Sequence, residues 1–301
     1  MIYKGVRVED TFCEAFDGLY CRVLITAEDE KRLKRAAYDS TALPCCVFGE
    51  SEGGIEKFVR KTETPDGRPG AIVQYWVSKG EGDVKGLEYE VSKRIRQGVL
   101  VVPTTLVFNL LDSAKKLDTL HAIGHCGDGY ESVEGYLGRE MINIPVMMGS
   151  FRIEKNLGYS EGIMGGNLWF YCNSEKTALK VLDKAEEAVK KVEGVVLSFR
   201  EGCSAGSKAG GKYEHIGPTT NHPYCPTLRE RLKDSKVPGD VESIPEIVIN
   251  GISLDSVKEA MKAAAEASTK VAGLIAISAG NFGGKLGKHR IFLRELLDYK
   301  P

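Results

Sequence analysis

Pro245-Glu246-Ile247-Val248-Ile249-Asn250-Gly251 is the stretch from which the fold of this chain can be inferred. Its β-branched residues predict a strand that begins at Pro245, where no ladder donor is needed, and ends in Asn-Gly turn chemistry. Successive side chains of a strand point to opposite faces, so Ile247 and Ile249 share one face and Glu246 belongs to the other. We therefore expect helices over the isoleucines, with Glu246 on the side of the sheet that the helices leave open.

Glu246 is the unusual member of this stretch, because it joins a carboxyl group to an apolar run. A solvated charge at a strand end is the simpler interpretation. The alternative is a carboxyl group held where water is scarce, so that it stays protonated and can donate a hydrogen bond. Raising the pKa of a Glu from ~4.3 to neutrality requires ~3 units, or ~4 kcal/mol, and buried Glu residues reach that range.

One order of predicted elements occurs twice around this strand. In the first half the strands are predicted at residues 22–26, 45–48, 71–77 and 99–103, with helices at 27–40 and 84–97. Gly53-Gly54 predicts a loop, and the apolar residues 105–111 are compatible with a further short helix. In the second half the strands are predicted at residues 167–172, 195–199, 246–250 and 273–278, with helices at 174–192 and 254–271. Two β-α-β-β-α-β units predict an α+β chain of two ferredoxin-like lobes from an internal duplication, with loop insertions. The lobes are placed at residues 1–146 and 147–301.

Composition restricts the class of protein. The 301 residues contain 41 Lys and Arg against 42 Asp and Glu, which gives no bias toward nucleic acid or an acidic membrane surface. No apolar run approaches the ~20 residues of a spanning helix, and the N-terminus lacks a signal-peptide core. The 8 Cys include no CxxC pair, so neither a zinc site nor a redox motif is indicated. We expect a cytoplasmic globular protein that binds neither membrane nor nucleic acid.

Two short motifs are weak indications of a phosphate-binding loop and of a metal site. Residues 206–212 fit GxxxxGK, the first part of a phosphate loop, but Tyr213 follows where Ser or Thr should hold magnesium. A flexible Gly/Lys loop is therefore favoured, although such a loop could contact an anionic part of a substrate. His121 and His125 have the spacing of two ligands on one helical face, but the neighbouring glycines oppose a stable helix. No third ligand is evident, so no metal site is predicted.

A glycine-rich loop, Ser278-Ala279-Gly280-Asn281-Phe282-Gly283-Gly284-Lys285-Leu286-Gly287, follows the last strand of the second half. Its four glycines let the backbone approach a ligand closely. It is not a dinucleotide fingerprint, because the following residues 291–293 are predicted to be extended and no helix follows. On spacing alone, a binding loop and a structural turn both remain open.

Five segments resemble the formylmethanofuran–tetrahydromethanopterin N-formyltransferase family. They are residues 64–70 (TPDGRPG), 127–130 (GDGY), 224–227 (YCPT), 246–251 (EIVING) and 277–287 (ISAGNFGGKLG). They follow the family's order along nearly the whole chain, and the last two are long and unusual.

The resemblance implies a reversible transfer of a formyl group between the amine of methanofuran and N5 of tetrahydromethanopterin, in methanogenesis or its reverse. It implies no prosthetic group, because methanofuran and tetrahydromethanopterin act as co-substrates. It implies a homotetramer or homodimer with the active site at a subunit interface, and it implies that Glu246 is the catalytic acid. Candidate substrate-binding residues in or near these segments are Asp128, Tyr224, Asn250, Ser278, Asn281, Phe282, Gly283 and Lys285.

This chemistry would need little beyond a positioned acid. Attack of an amine on the formyl amide gives a tetrahedral intermediate with a negative oxygen, to which a neutral Glu246 could donate a hydrogen bond. No covalent enzyme intermediate is required, in agreement with the lack of a recognisable Ser-His-Asp or Cys-His signature. Two rival hypotheses remain: a non-catalytic small-molecule-sensing protein of paired ferredoxin-like domains, and a nucleotide-dependent enzyme that uses residues 208–212.

Overall fold

The structure is a computed structural model that describes residues 1–42, 51–79, 84–208, 212, 215 and 219–297. The strands are β1 (Ile2–Tyr3), β2 (Val6–Val8), β3 (Phe12–Thr26), β4 (Ser51–Val59), β5 (Gly70–Ser78), β6 (Leu106–Asn109), β7 (Lys116–Asp118), β8 (Ser132–Tyr136), β9 (Arg139–Val146), β10 (Gly149–Glu154), β11 (Asn156–Cys172), β12 (Val195–Leu197), β13 (Glu246–Gly251), β14 (Leu274–Ser278) and β15 (His289–Phe292). The helices are α1 (Glu30–Thr41), α2 (Val84–Ile95), α3 (Thr119–Ala122), α4 (Glu175–Val189), α5 (Leu254–Ser268) and α6 (Leu293–Leu296). Among the described residues, no helix is long and apolar enough to cross a membrane.

The first compact unit is Gly18–Gly162. Its central strands pair in the order β4-β5-β3-β6, and every pair among them is antiparallel. Helices α1 and α2 cover one face of these strands, where Leu33 and Leu87 are buried in one cluster with Ile25 and Val73. Because the apolar side chains of the strands alternate, burying this face fixes the register of the sheet.

The second compact unit combines Met1–Asp17 with Ile163–Pro301. Its strands pair in the order β12-β13-β11-β14, and these pairs too are antiparallel. Helices α4 and α5 cover one face, and Ile247 and Ile249 lie buried beneath them. The predicted α+β fold is confirmed, and the strand order that the two halves share supports an internal duplication.

A leading strand precedes each half in the chain but pairs with the last strand of the other half. Strand β2 is parallel to β14, with Val8 beside Ile277, and β10 is parallel to β6, with Ile153 beside Val107. Each unit therefore contains a strand from the beginning of the other half. A lobe boundary between residues 146 and 147 follows the order of the sequence and remains a prediction.

Three predictions for the first half are not confirmed. One concerns residues outside the described part of the chain, and two differ from the structure. The strand predicted at 45–48 lies outside the described residues. Residues 99–103 are not a strand, because the chain continues from α2 into a π-helical turn, Arg96–Leu100. The Thr105 hydroxyl donates to the carbonyl oxygens of Val99 and Val102, at 2.8 and 3.0 Å, and closes that turn. The fourth strand is instead β6, within the stretch 105–111 that looked helical.

The face of the second unit opposite its helices is covered by the insertion between β12 and β13. Val237 and Val241, from that insertion, form a buried cluster with Trp169, Tyr171 and Ala276 of the sheet. The sequence predicted an open face at this point, to be covered by the other half of the chain, a second subunit or a ligand. The insertion covers the part of this face formed by Trp169, Tyr171 and Ala276, and Glu246 lies opposite Trp169 beside it.

Candidate active site

Glu246 is the first residue of β13, and its backbone is fixed on one side by the insertion. Its N–H donates to the carbonyl of Cys203 at 2.8 Å, and its carbonyl accepts from the Cys203 N–H at 2.7 Å. On the other side, Glu246 lies directly opposite Trp169 in the β11–β13 ladder. The Trp169 Nε1–H donates to Oε1 of the Glu246 carboxyl group at 2.9 Å. The acid is therefore held from both neighbouring segments at the edge of a pocket.

The environment of Glu246 changes its acidity. Burial raises the pKa of this carboxyl from 4.5 to about 7, and the hydrogen bond from Trp169 acts in the opposite direction. Burial wins because the charged form loses more by leaving water than one neutral donor returns. The carboxyl group thus titrates near neutral pH, which is the property that a proton donor at this position needs. Its catalytic role stays a prediction.

A pocket of about 280 Å³ opens beside Glu246. Its walls include Trp169, Tyr224 and Asn221, together with the carboxyl groups of Glu175 and Glu242. The rings of Trp169 and Tyr224 meet edge to face, with centroids 4.7 Å apart. The pocket therefore combines an aromatic wall with acidic groups, a lining suited to a flat ring that carries a polar or cationic substituent.

The glycine-rich loop begins against the indole of Trp169. A Cβ atom at Gly280 would lie 2.8 Å from Cζ2 of Trp169, so this close contact requires glycine. Asn167 joins the two segments, because its Oδ1 accepts from the Gly280 N–H at 2.6 Å and its Nδ2 donates to the Gly280 carbonyl at 3.2 Å. The start of the loop thus supports the residue that holds Glu246.

The rest of that loop is organised around Glu14, a buried residue of β3 that the sequence analysis did not single out. Its carboxylate accepts four backbone N–H groups, from Phe282, Gly284, Leu286 and Gly287. Burial by itself raises the pKa of Glu14, but these four donors outweigh it and hold the pKa below its ordinary value. A charged carboxylate therefore gives the loop its shape.

Two of the predicted loop residues point into the protein. Asn281 donates to the Thr11 hydroxyl and to the Phe12 carbonyl, each at 3.1 Å. Ser278 is buried and stands beside Trp169 in the β11–β14 ladder. Asn281 and Ser278 therefore support the loop and the sheet from inside the protein.

Three predicted loop residues, Phe282, Gly283 and Lys285, are exposed on the loop that Glu14 holds. Their side chains or backbone are accessible to a ligand, and substrate contact by them stays a prediction.

Of the predicted binding residues, Tyr224 lines the pocket beside Glu246, and the five in the glycine-rich loop do not. Asn250 and Asp128 also lie apart from the pocket. Asn250 is fully buried, and its Oδ1 accepts from the Gly165 N–H at 3.0 Å, which supports a bulge in β11. Asp128 is an exposed residue of the first unit and has the left-handed conformation, with φ 53°. Neither lines the cavity that contains Glu246.

The weaker motifs form no metal centre in the described part of the chain, which contains no group of three potential ligand side chains. The Nδ1 atom of His125 lies 2.8 Å from the backbone carbonyl of His121, so this ring nitrogen contacts the backbone. Residues 209–211 and Tyr213 of the possible phosphate loop lie outside the described residues.

Comparison with known proteins gives matches along the whole chain. A family profile described as formylmethanofuran-tetrahydromethanopterin formyltransferase matches residues 1–146, and one described as FTR, proximal lobe, matches residues 149–296. A Methanopyrus kandleri protein named formylmethanofuran–tetrahydromethanopterin formyltransferase-like protein is 56% identical over 295 residues, which are 98% of this chain and 98% of that protein.

Two solved structures are similar to the chain. The formylmethanofuran:tetrahydromethanopterin formyltransferase from Methanosarcina barkeri has a TM-score of 0.90 and 39% identity, over 98% of this chain and 100% of that one. A chain of the formyltransferase/hydrolase complex from Methylorubrum extorquens, solved with methylofuran, has a TM-score of 0.90 and 35% identity, over 100% of this chain and 99% of that one.

Proposed function

This chain belongs to the formylmethanofuran–tetrahydromethanopterin formyltransferase family, and from that membership we propose that it transfers a formyl group between formylmethanofuran and tetrahydromethanopterin. Methanofuran and tetrahydromethanopterin are co-substrates in this reaction, and no prosthetic group takes part. The single observation that carries the proposal at the level of chemistry is the position of Glu246. It is an acid that titrates near neutrality, hydrogen-bonded to Trp169 at the edge of an aromatic pocket.

The proposed mechanism is direct attack in a ternary complex. The N5 amine of the pterin attacks the formyl carbon, and the electron pair of the C=O double bond moves to oxygen. The neutral carboxyl group of Glu246 donates to that oxygen, where the charge develops. The C–N bond to methanofuran then breaks, its nitrogen gains a proton, and the proton of N5 is released. Positioning of two large substrates supplies the rest of the rate enhancement.

The pocket agrees with the substrate class that the family suggests. Its aromatic wall suits a flat ring, and its acidic residues suit the amine that methanofuran bears after it has lost the formyl group. We propose that the protein works in the cytoplasm and self-associates as a homotetramer or homodimer, with the active site at the interface between subunits. The relative from Methylorubrum extorquens is part of a complex with a hydrolase, so mass measurement should include possible partner subunits.

A turnover assay with both coenzymes tests the function. Purified protein, without added metal or nucleotide, should convert formylmethanofuran and tetrahydromethanopterin to products that pterin absorbance reports. Binding of the coenzymes without turnover would instead support a sensor, and a rate that requires magnesium-nucleotide would support the use of residues 208–212. The assay is informative because the names of the relatives differ. The Methanopyrus kandleri protein, 56% identical, is named a formyltransferase-like protein, whereas the Methanosarcina barkeri protein, 39% identical, is named a formyltransferase.

A further inference from the structure

The hydrogen bond between Trp169 and Glu246 distinguishes the two oxygens of the carboxyl group. An indole N–H can only donate, so Oε1, at 2.9 Å from Nε1, is an acceptor whether Glu246 is charged or neutral. A neutral carboxyl group has one carbonyl oxygen and one hydroxyl oxygen. The carbonyl oxygen of a carboxylic acid is a stronger acceptor than its hydroxyl oxygen, so the indole bond favours the form in which Oε1 is the carbonyl oxygen and Oε2 carries the proton.

We propose that Trp169 is a positioning residue for formyl transfer, because it fixes the acid proton of Glu246 on Oε2, the oxygen that presents this proton to the formyl group. The proposal rests on the formyl-transfer function argued above. It adds a residue that acts through Glu246 and assigns a separate task to each carboxyl oxygen.

The indole is itself held in place on several sides. Trp169 is 7% exposed, a Cβ atom at Gly280 would lie only 2.8 Å from its ring, and Tyr224 meets it edge to face with ring centroids 4.7 Å apart. Glu246 faces it across the ladder, so backbone pairing sets the distance between the two side chains. Because the donor cannot rotate away without displacing these neighbours, the preference for a proton on Oε2 is built into the fold.

The position of the proton on Oε2 matters because formyl transfer needs a proton at one atom, the oxygen of the formyl group. During the attack, the Oε2–H bond points its hydrogen at the oxygen that gains the electron pair, while Oε1 keeps its bond to the indole. If the proton moves fully, the resulting carboxylate is stabilised by the same indole N–H, which favours the charged form. As the C=O bond re-forms, the proton on that oxygen passes to the leaving methanofuran nitrogen, and the proton released from N5 returns Glu246 to its starting state on Oε2.

The first test is Trp169→Phe, which removes the N–H and keeps an aromatic ring. With the indole bond gone, the charged form of Glu246 is less favoured, so the basic limb of the pH–kcat profile should move to higher pH. We expect kcat at neutral pH to fall about tenfold, the effect of one lost positioning hydrogen bond. KM for both coenzymes should change by less than about twofold. A purely structural role would lower stability or activity without moving the limb, and would overturn the proposal.

A second variant separates shape from hydrogen bonding. Incorporation of 3-benzothienylalanine at position 169 keeps the two-ring shape and replaces the N–H by sulfur, so it decides the case if Trp169→Phe folds poorly. The carboxylic acid C=O band of Glu246, identified by infrared difference against Glu246→Gln, should move to higher frequency, and its titration midpoint should rise. This readout needs no turnover, so it stands even if formyl transfer fails. An unchanged band and midpoint would contradict the proposal.

The chain provides a matched control in its other tryptophan. Trp76 lies in the first unit, is fully buried, donates through Nε1 to Oε1 of Gln74 at 3.0 Å, and stacks on Tyr20. Trp76→Phe removes the same kind of donor and should lower thermal stability while it leaves the infrared band of Glu246 and the pH limb unchanged. An equal shift in this control would show a general response to tryptophan loss and would overturn the assignment to Trp169.

Discussion

Glu246 combines two opposing influences on one carboxyl group. Burial raises its pKa to about 7, while the indole of Trp169 limits that rise by favouring the charged form. A proton donor is most effective when its pKa is near the working pH, because it then holds a proton and can also release it. The balance between burial and one hydrogen bond thus places the residue in a useful range.

Glu246→Gln tests the proton role directly. The amide keeps a hydrogen-bond donor and nearly the same shape, but it cannot give up a proton. We expect turnover to fall about 100-fold or more, the usual contribution of a positioned acid or base, with little change in coenzyme binding. Glu230→Gln is the matched control, since Glu230 is an exposed carboxyl of the insertion between β12 and β13 that does not line the pocket. Near-normal turnover of Glu246→Gln would remove this residue as the catalytic acid.

The same substitution should stabilise the folded protein in a defined pH range. The pKa of Glu246 is raised from 4.5 to about 7 on folding, so the folded state binds the extra proton between these values. The free energy of unfolding therefore decreases as pH rises through that window, by ~3 kcal/mol at ~1.4 kcal/mol per unit. Glu246→Gln has no such charge. It should be more stable than the wild type by up to ~3 kcal/mol at pH 8 and no more stable at pH 4.

Urea unfolding at both pH values measures that difference, with Glu230→Gln as the variant expected to show none. An equal stability gain at pH 4 and pH 8 would show that the amide improves packing, and that the charge of Glu246 carries no penalty. A penalty that a single substitution relieves is typical of functional sites, where stability is reduced in favour of activity.

At the scale of elements, the shape of the glycine-rich loop depends on one acidic side chain, Glu14, from a strand that is distant in the sequence. Glu14 gathers four backbone donors of residues 282–287, and no helix or strand spans that stretch. Hydrogen bonds to a charged group are stronger than those between neutral groups, so a carboxylate at this position stabilises the loop more than an amide can.

Glu14→Gln should therefore loosen the loop. One amide oxygen and one NH₂ group replace two acceptor oxygens, which leaves N–H groups of the loop without partners at ~1–3 kcal/mol. We expect KM for the coenzymes to rise about tenfold, the result of one lost charge-assisted contact, and kcat to change less. Steady-state kinetics at varied coenzyme concentration would measure this split. An unchanged KM with lowered kcat would show that the loop acts on chemistry and leaves binding unaffected.

The contribution of Glu14 to the free energy of unfolding changes with pH in the opposite direction to that of Glu246. The pKa of Glu14 is lowered on folding, so its contribution is fully present above its ordinary value and is lost as pH falls through the folded value. The stability gap between wild type and Glu14→Gln should be widest near neutral pH. Glu56→Gln is the control, since Glu56 is a buried carboxylate paired with Arg22 in the first unit. It should reduce stability without raising KM.

Periodicity in the sequence predicted most strands and helices, and its failures have physical reasons. An apolar run such as residues 99–102 is compatible with a strand or with a buried helical turn, and periodicity cannot separate the two. The close approach of Gly98 to the backbone of Ser40, where a Cβ would lie 2.5 Å from the Ser40 nitrogen, belongs to the tertiary structure. Gly53 and Gly54 suggested a loop but lie inside β4, paired with β5.

The site was only partly predictable for a related reason. The strand that carries Glu246 and the strand that carries Trp169 were both recognised, but their mutual register depends on pairing across a long interval of sequence. Alternation alone places Asn167 and Trp169 on one face of their strand, so the sequence could have indicated both as residues of the site. Nothing local distinguishes Glu14, since an isolated acid in a strand usually faces solvent.

In the whole molecule, the two halves differ at corresponding positions. Trp169 lies five residues before the N-cap Ser174, as Leu24 lies five before the N-cap Asp29. Trp169 is opposite Glu246, whereas Leu24 is opposite Ile72. Leu24 and Ile72 belong to a buried apolar cluster with Phe108. The chain thus keeps a polar site in one half and apolar packing in the other, which is how a duplicated fold can specialise.

The exchange of leading strands makes each half depend on a segment from the other, and we propose that residues 146 and 147 mark the boundary of the duplicated sequence. Val8 is 1% exposed within the core of the second unit, and Ile153 is fully buried in the core of the first. Truncating either side chain leaves a cavity in the unit that receives the strand. The cost should be on the order of 2 kcal/mol for Val8→Ala and ~2–5 kcal/mol for Ile153→Ala.

Hydrogen exchange should locate these two losses in opposite halves of the sequence. Val8→Ala should speed exchange of the β14 amides, since β2 pairs with β14, and leave β6 protected. Ile153→Ala should speed exchange in β6 and leave β14 protected. Each variant is the control for the other, because both truncate a buried residue of a leading strand. Faster exchange in the half that is adjacent in sequence would contradict the exchanged arrangement, because local opening follows the contacts that a strand makes in the fold.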